Sequence, residues 1–351
     1  MIPMQDYFQE HYVVVNGLRI RYWQAGEAGP NLVLIHGLGG AVEVWRRVLP
    51  ELARSHRVVA LDLPGCGRSQ PPVHFPADTL GLFAATVLGL MDALGMATAQ
   101  VVGSSLGGTV ALRTALAAPE RVQGLVLVGS AGFTHRVAWP LRLMSVPGAG
   151  ELLTRPHRDQ TAVALRSCVA DPAAVTEYDV DQAYALATMP GAQEAFLALL
   201  RVYCRANGLR RDTLRDLAAG IPTIKAPVLL VWGDRDAIIP FQSTQRAREL
   251  LPESALVVFA GCGHLAFVEQ PVRFARLVES FVCDPAATLA EYRQAPAHSQ
   301  RNATWGRDLL ERSAQRLTPR TLAAGLLSLV LLVVLPGMAR QRAGSRAVRQ
   351  P

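Results

Sequence analysis

The sequence predicts an α/β protein: a parallel sheet with helices on both faces, a helical cap inserted into it, and a C-terminal transmembrane helix. Three observations predict it. Short apolar, β-rich runs alternate with segments of helical length along most of the chain. The alternation breaks between about Phe133 and Lys225, where Pro140, Pro147, Pro156, Pro172 and Pro190 punctuate helical patterning. Near the end, 19 uncharged residues lie between Arg320 and Arg340.

In order, 12–15 and 18–24 are β-rich runs around Asn16-Gly17, a strong two-residue hairpin signal. Residues 31–35 form a short apolar run that ends in a glycine-rich turn, as a buried strand would. A helix is expected over 43–54, then a strand over 57–61 running into Asp62-Leu63-Pro64-Gly65. The pattern continues with a helix over 79–94, a strand over 99–103, a helix over 106–118 and a strand over 122–129. It resumes after the insertion with strands over 228–232 and 255–259 and helices over 243–251 and 270–282. Pro285 and Pro296 mark 284–303 as a linker, and Trp305, Leu309, Leu310 and Leu317 are expected to line one face of a short helix ahead of the uncharged stretch. The expected division is a core of 1–133 and 226–284, a helical cap of 134–225, a linker and amphipathic segment of 285–320, a membrane anchor of 321–339 and a basic tail of 340–351.

At 1.5 Å per residue the uncharged stretch reaches about 28 Å, close to the hydrocarbon thickness of a bilayer. Arg316 and Arg320 precede it, and Arg340 and Arg342 follow it, in the manner of interfacial anchors. Residues 1–10 show no secretory signal, so the body is expected on the cytoplasmic side of a single C-terminal span. Four Arg in the last twelve residues run against the positive-inside tendency.

The 351 residues suffice for one or two domains of roughly 150. Half are hydrophobic and 18% charged, which excludes a disordered chain. Five Cys with no C-x-x-C pair argue against a zinc ribbon, a thioredoxin-like motif and a disulfide framework. The net charge of +7 resides in the tail: from residue 286 onward there are ten Arg against Glu291, Asp308 and Glu311, and the rest is neutral. A nucleic-acid groove across the body is therefore not expected.

Gly103-Ser104-Ser105-Leu106-Gly107 fits G-x-S-x-G between an expected strand and an expected helix, the context this motif requires. Ser105 is the candidate nucleophile. Its hydroxyl needs a base, itself oriented by a third group, and the chain order for this scaffold is Ser, acid, His. His264, in Gly261-Cys262-Gly263-His264, stands where that order requires the base. Asp234 and Asp236 both follow the strand at 228–232, and Asp236, further out, has the better reach. The earlier loop, Gly129-Ser130-Ala131-Gly132, holds no carboxylate. The oxyanion donors are expected to be the N–H of Leu106 and that of Leu38, with Gly39 next, in His36-Gly37-Leu38-Gly39-Gly40. His36 reads as structural, and Cys66 and Cys262 as incidental thiols.

These motifs resemble those of the α/β-hydrolase superfamily, specifically its capped branch of esterases, monoacylglycerol lipases and carbon-carbon bond hydrolases. The residues carrying the resemblance are His36 to Gly39, Asp62 to Gly65 with Gly67-Arg68-Ser69, Gly103 to Gly108, Gly233 with Asp236 and Pro240, and Gly263-His264 with Glu269. The resemblance implies an eight-stranded, mostly parallel sheet, a lid over about 133–225 and a Ser105, Asp236, His264 triad, with no metal or organic cofactor. Dehalogenases and epoxide hydrolases of the superfamily use an Asp nucleophile, which Ser105 replaces here. Carbon-carbon bond hydrolases often carry Trp after the His, where this chain has Leu265.

The expected activity is a membrane-anchored serine hydrolase cleaving a lipophilic carboxylic ester. Trp139, Leu141, Met144, Phe196 and Leu200 are candidates for an apolar entrance. Alternatives are a carbon-carbon bond hydrolase or acyltransferase with the same triad, and a non-catalytic, membrane-tethered binding module. The expected partners are a small-molecule ester or lipid and the membrane, not nucleic acid.

Overall fold

In the computed structural model, which describes residues 8–294, Gln9–Val15 (β1) and Leu18–Ala25 (β2) pair antiparallel. Asn16 and Gly17 turn between them at φ 51° and 79°. Strand Asn31–Ile35 (β3) follows. The helix expected over 43–54 is instead a 3-10 turn, Val42–Trp45, and a short helix, Leu49–Leu52 (α1). Pro50 accounts for the break, because it lacks the N–H a continuous helix would use. Strand Arg57–Leu61 (β4) leads to helix Thr79–Ala93 (α2), whose first turn is capped by the Asp78 carboxylate accepting the Gly81 N–H. Strand Ala99–Ser104 (β5), helix Leu106–Ala117 (α3) and strand Val122–Val128 (β6) complete the first part of the sheet.

Between β6 and the next sheet strand lie helices Trp139–Met144 (α4), Ala149–Leu153 (α5), Arg158–Arg166 (α6), Glu177–Ala187 (α7) and Ala192–Tyr203 (α8). A two-residue ladder of Cys204–Arg205 (β7) and Gly208–Leu209 (β8) and helix Arg211–Gly220 (α9) finish the insertion. The main sheet resumes with Val228–Gly233 (β9), helix Ser243–Leu250 (α10), strand Ala255–Phe259 (β10) and helices Ala266–Glu269 (α11) and Pro271–Cys283 (α12). The segment read as a linker from Asp284 begins with a helix, Pro285–Gln294 (α13). Pro285 is tolerated at a helix start, and the Asp284 carboxylate accepts the Ala287 N–H at 2.9 Å.

The eight strands run in the order β1-β2-β4-β3-β5-β6-β9-β10, antiparallel only where β2 meets β1 and β4. Side chains alternate between two buried clusters. Val33, Val101, Leu125 and Leu127 face α2 and α3, and Leu34, Val102, Val126 and Val128 face α1 and α12. Burial on both faces explains why these strands read as continuous apolar runs.

One expectation is corrected here. No helix among the described residues is long and apolar enough to cross a membrane, and the stretch 321–339 lies outside them. The expected transmembrane helix, the single-pass membrane location and the membrane as a partner are therefore carried by no described helix.

Candidate active site

The site gathers at the carboxyl ends of the parallel strands. β5 ends at Ser104 and α3 starts at Leu106, so Ser105 makes the whole turn between them, at φ 56° and ψ −117°. A side chain in that region carries backbone strain. Hydrogen bonds hold it there: Ser105 N–H donates to the Val128 carbonyl at 2.9 Å, and the Ser105 carbonyl accepts from Gly108 and Ala131 at 3.1 Å each. The motif glycines are close-approach positions. A Cβ on Gly103 would lie 2.3 Å from the Gly107 carbonyl oxygen, and one on Gly107 would lie 2.2 Å from that of Ile35.

Asp236 follows β9 and His264 follows β10, and the two meet: Asp236 Oδ2 lies 2.8 Å from His264 Nδ1. Asp236 Oδ1 accepts the N–H groups of Ile238 and Ile239 at 2.8 and 2.9 Å. Both carboxylate oxygens are thus satisfied in a buried position. With Nδ1–H committed to the carboxylate, Nε2 is the ring nitrogen left for proton transfer. Asp234, the other candidate acid, instead accepts the Gly261 N–H at 2.7 Å and fastens the β10 loop. Gly129, directly after β6, adjoins the pair at φ 49°; a Cβ there would lie 2.9 Å from His264 Nδ1 and 3.0 Å from Asp236 Oδ2. The Ser105 hydroxyl makes no hydrogen bond to the His264 ring in this structure.

Leu38 and Leu106, the expected oxyanion donors, both line a cavity of about 60 Å³ that reaches Ser105. Gly39 instead faces α8, where Phe196 lies 3.0 Å from its Cβ position. His36 sets the shape of the loop. Its Nε2 accepts the Leu63 N–H at 3.0 Å, and its Nδ1 pairs with the Gly37 carbonyl at 2.7 Å. Complete burial pushes this imidazole down to about 4, so it is neutral. Of the residues proposed for the entrance, Leu141 and Leu200 line the cavity, Met144 and Phe196 pack within the insertion, and Trp139 is exposed.

Sequence reasoning missed Arg21. Its buried guanidinium meets Glu10 Oε2 and Glu43 Oε1 at 2.7 Å each and Asp62 Oδ2 at 3.2 Å. Asp62 also accepts the N–H groups of Val42 and Arg68. This network anchors the Asp62-Leu63 turn on which His36 leans. An Arg on a hairpin strand gives no local signal of burial, because its partners lie 11 to 41 residues away. Among the described residues no group of His, Cys, Asp and Glu has metal-binding geometry.

Residues 30–271 match the model of the α/β hydrolase fold family. The chain belongs to the α/β-hydrolase family. Among its relatives is the 2-hydroxy-6-oxo-2,4-heptadienoate hydrolase of Pseudomonas putida, 32% identical over 77% of this chain and 95% of that protein. Another is the 2-hydroxymuconate semialdehyde hydrolase of Pseudomonas sp. CF600, 33% identical over 78% and 94%. A meta-cleavage product hydrolase from Pseudomonas fluorescens IP01 superposes with a TM-score of 0.67 at 29% identity, covering 78% of this chain and 98% of its own.

This α/β-hydrolase is accordingly an enzyme, and the binding-module alternative is set aside. The ester expectation is also corrected. The relatives named above are a 2-hydroxy-6-oxo-2,4-heptadienoate hydrolase, a 2-hydroxymuconate semialdehyde hydrolase and a meta-cleavage product hydrolase, which speaks against the expected carboxylic or lipid ester.

Proposed function

We propose that this α/β-hydrolase cleaves a carbon-carbon bond in a 2-hydroxy-6-oxo-dienoate, with Ser105, His264 and Asp236 as its catalytic groups. The observation that carries the reading is the buried Asp236–His264 pair, 2.8 Å apart. It accompanies a strained serine elbow in a chain about one-third identical to two dienoate-type hydrolases over nearly their full length.

His264 Nε2 takes the Ser105 proton as Oγ adds to the ketone at carbon 6 of the keto tautomer, in which carbon 5 is saturated. The Leu38 and Leu106 N–H groups receive the oxyanion. Collapse breaks the bond between carbons 5 and 6, and its electron pair passes along the conjugated chain to the oxygen at carbon 2. The proton held by His264 returns to this dienolate, giving a 2-hydroxydienoate. Water, activated by the same ring, then releases the acyl group from Ser105 as a carboxylic acid. The sum is one substrate and one water to two products. Asp236 keeps the ring oriented and stabilises its charged form.

Leu265 fits this assignment without occupying the substrate's place. Its N–H donates to the Cys168 carbonyl at 3.0 Å, its side chain packs on the insertion's Val169 cluster, and it does not line the cavity.

The test is product analysis after incubation with 2-hydroxy-6-oxohepta-2,4-dienoate. Wild type is expected to release acetate and 2-hydroxypenta-2,4-dienoate, and Ser105→Ala to lose at least about 1,000-fold in rate. Absence of turnover by wild type, or undiminished turnover by the variant, would sink the assignment.

A further inference from the structure

The turn between β3 and the 3-10 segment, Gly37 to Ala41, is held at both ends by Asp62 and the residue after it. On its far side, Asp62 Oδ1 accepts the N–H of Val42, the first residue of the 3-10 segment, at 2.7 Å. On its near side, the Leu63 N–H donates to His36 Nε2 at 3.0 Å, and His36 Nδ1 donates to the Gly37 carbonyl at 2.7 Å. The Gly40 N–H donates to that same carbonyl at 3.0 Å and tightens the turn around Leu38. The turn also abuts the nucleophile. A Cβ on Gly37 would lie 2.9 Å from Ser105 Cβ and 3.5 Å from Ser105 Oγ. A small shift of the turn therefore displaces the Leu38 N–H relative to Oγ, and an oxyanion donor acts only within a narrow range of distance.

Asp62 is itself held by several partners. It is fully buried, and its Oδ2 accepts the Arg68 N–H at 2.8 Å and Arg21 Nη1 at 3.2 Å. Its own N–H donates to the Arg21 carbonyl at 2.9 Å, and its carbonyl accepts the Ser69 hydroxyl at 2.8 Å. A Cβ on Gly67 would fall 2.1 Å from Oδ2, so only glycine lets the following loop close over the carboxylate. Arg21 also grips Glu43, the residue after Val42, so one guanidinium ties the two carboxylates that flank the 3-10 start. Buried charge is a costly way to hold a loop, and the turn it holds on both sides is the one that carries Leu38.

We infer that Asp62 is a positioning residue for the oxyanion donor. By pinning Val42 directly, and Gly37 through Leu63 and His36, it sets the Leu38 N–H against the oxygen that turns negative when Ser105 Oγ adds to a carbonyl. Asp62 does not line the cavity, so it acts through the turn and not on the substrate. This rests on the roles proposed above for Ser105 and Leu38, but not on the choice of a dienoate as substrate.

The test is fluorine NMR titration of 1,1,1-trifluorobutan-2-one into wild type, Ser105→Ala, Asp62→Asn, Val42→Pro and Leu289→Ala. Ser105 Oγ adds to the ketone carbon, its proton passes to His264, and the carbonyl oxygen becomes an oxyanion with no group leaving. Wild type is expected to form this adduct and Ser105→Ala is not. Asp62→Asn turns one accepting oxygen into an NH2 facing N–H donors. Val42→Pro deletes only the N–H that Oδ1 accepts, at a position where proline suits a helix start, and keeps the test available if Asp62→Asn fails to fold. Each of the two is expected to weaken the adduct by about 10- to 100-fold, less than outright loss of a donor. Leu289→Ala, a core truncation in α13 beside β10, lowers stability and is expected to bind the ketone as wild type does. Wild-type affinity in the folded Asp62 and Val42 variants, or an equal loss in Leu289→Ala, overturns the positioning role alone. Absence of the adduct in wild type overturns the Ser105 assignment itself, so the two failures are distinguishable.

Discussion

Glu269 Oε2 accepts the N–H of Gly263, the residue before His264, at 2.6 Å. Its other oxygen accepts the N–H groups of Ala170 and Asp171, at 3.0 Å each. One carboxylate therefore joins the loop that carries the His264 imidazole to the insertion. The Leu265 N–H, donating to the Cys168 carbonyl, secures the opposite flank of the histidine. The position of His264 is thus set partly by the insertion, not by the sheet alone.

Replacing Glu269 with Gln keeps the shape but removes the charge and turns one accepting oxygen into an NH2, so that either the Gly263 bond or the two bonds to the insertion are lost. Charged acceptors contribute more than neutral ones, and a loss of about 2 kcal/mol is expected. Urea denaturation of Glu269→Gln checks this. A fall in kcat exceeding any rise in KM would place the damage at the imidazole rather than at substrate binding.

Gly129 offers a sharper probe of the same geometry. A methyl group there would fall within about 3 Å of both His264 Nδ1 and Asp236 Oδ2, at a φ of 49° that disfavours Ala. Gly129→Ala is expected to cost about 1–2 kcal/mol of stability. Displacement of the pair should lower kcat/KM by about 100-fold. Steady-state kinetics alongside denaturation separates the two effects, and unchanged kinetics would mean that the pair tolerates displacement.

The elements legible in the sequence were those with local signals. Asn16-Gly17 announced its hairpin, and Ser105 announced the strand-to-helix turn because the motif glycines are needed by that turn's own backbone. The groups that position these elements were not legible. Arg21 finds its acids across the sheet, and Glu269 bonds to N–H groups 98 and 99 residues earlier. The helix after Asp284 was obscured by Pro285, which marks a break inside a helix but a start at its first residue. An apolar stretch of spanning length likewise carried a fold expectation that no described helix fulfils.

A second tie between core and insertion is electrostatic. Arg46 and Arg47, after the 3-10 turn, both pair with Asp179 of α7, Arg47 Nη2 at 2.7 Å from Oδ2. Arg47 also donates to the Val268 carbonyl at 3.1 Å. These groups are partly buried, so Asp179→Asn is expected to cost about 1–3 kcal/mol, between the values for exposed and buried pairs. Trypsin should then cleave faster after Arg166, which ends α6 and precedes Ser167, than in wild type. Equal cleavage rates would show that the apolar contacts alone hold the insertion in place.

The pH dependence of stability should carry the signature of His36. Burial lowers its folded-state value from 6.5 to about 4, so between these limits the unfolded chain binds the proton that the folded chain refuses. The contribution of this group is complete above about pH 6.5 and is lost as the pH falls towards 4. A shift of this size corresponds to about 3 kcal/mol. Asp62 acts in the opposite sense: burial pushes its carboxyl up to about 6, so its contribution to stability declines as the pH rises from about 4 to 6. The raw curve therefore mixes two opposing slopes in overlapping windows. Comparing wild type with His36→Gln, which keeps an acceptor for the Leu63 N–H, isolates the histidine term. The stability difference between the two proteins should narrow steadily from pH 7 to pH 4, as measured by urea denaturation at each pH. A difference independent of pH would mean that His36 takes up its proton equally in the folded and unfolded states, contrary to the consequence of its burial.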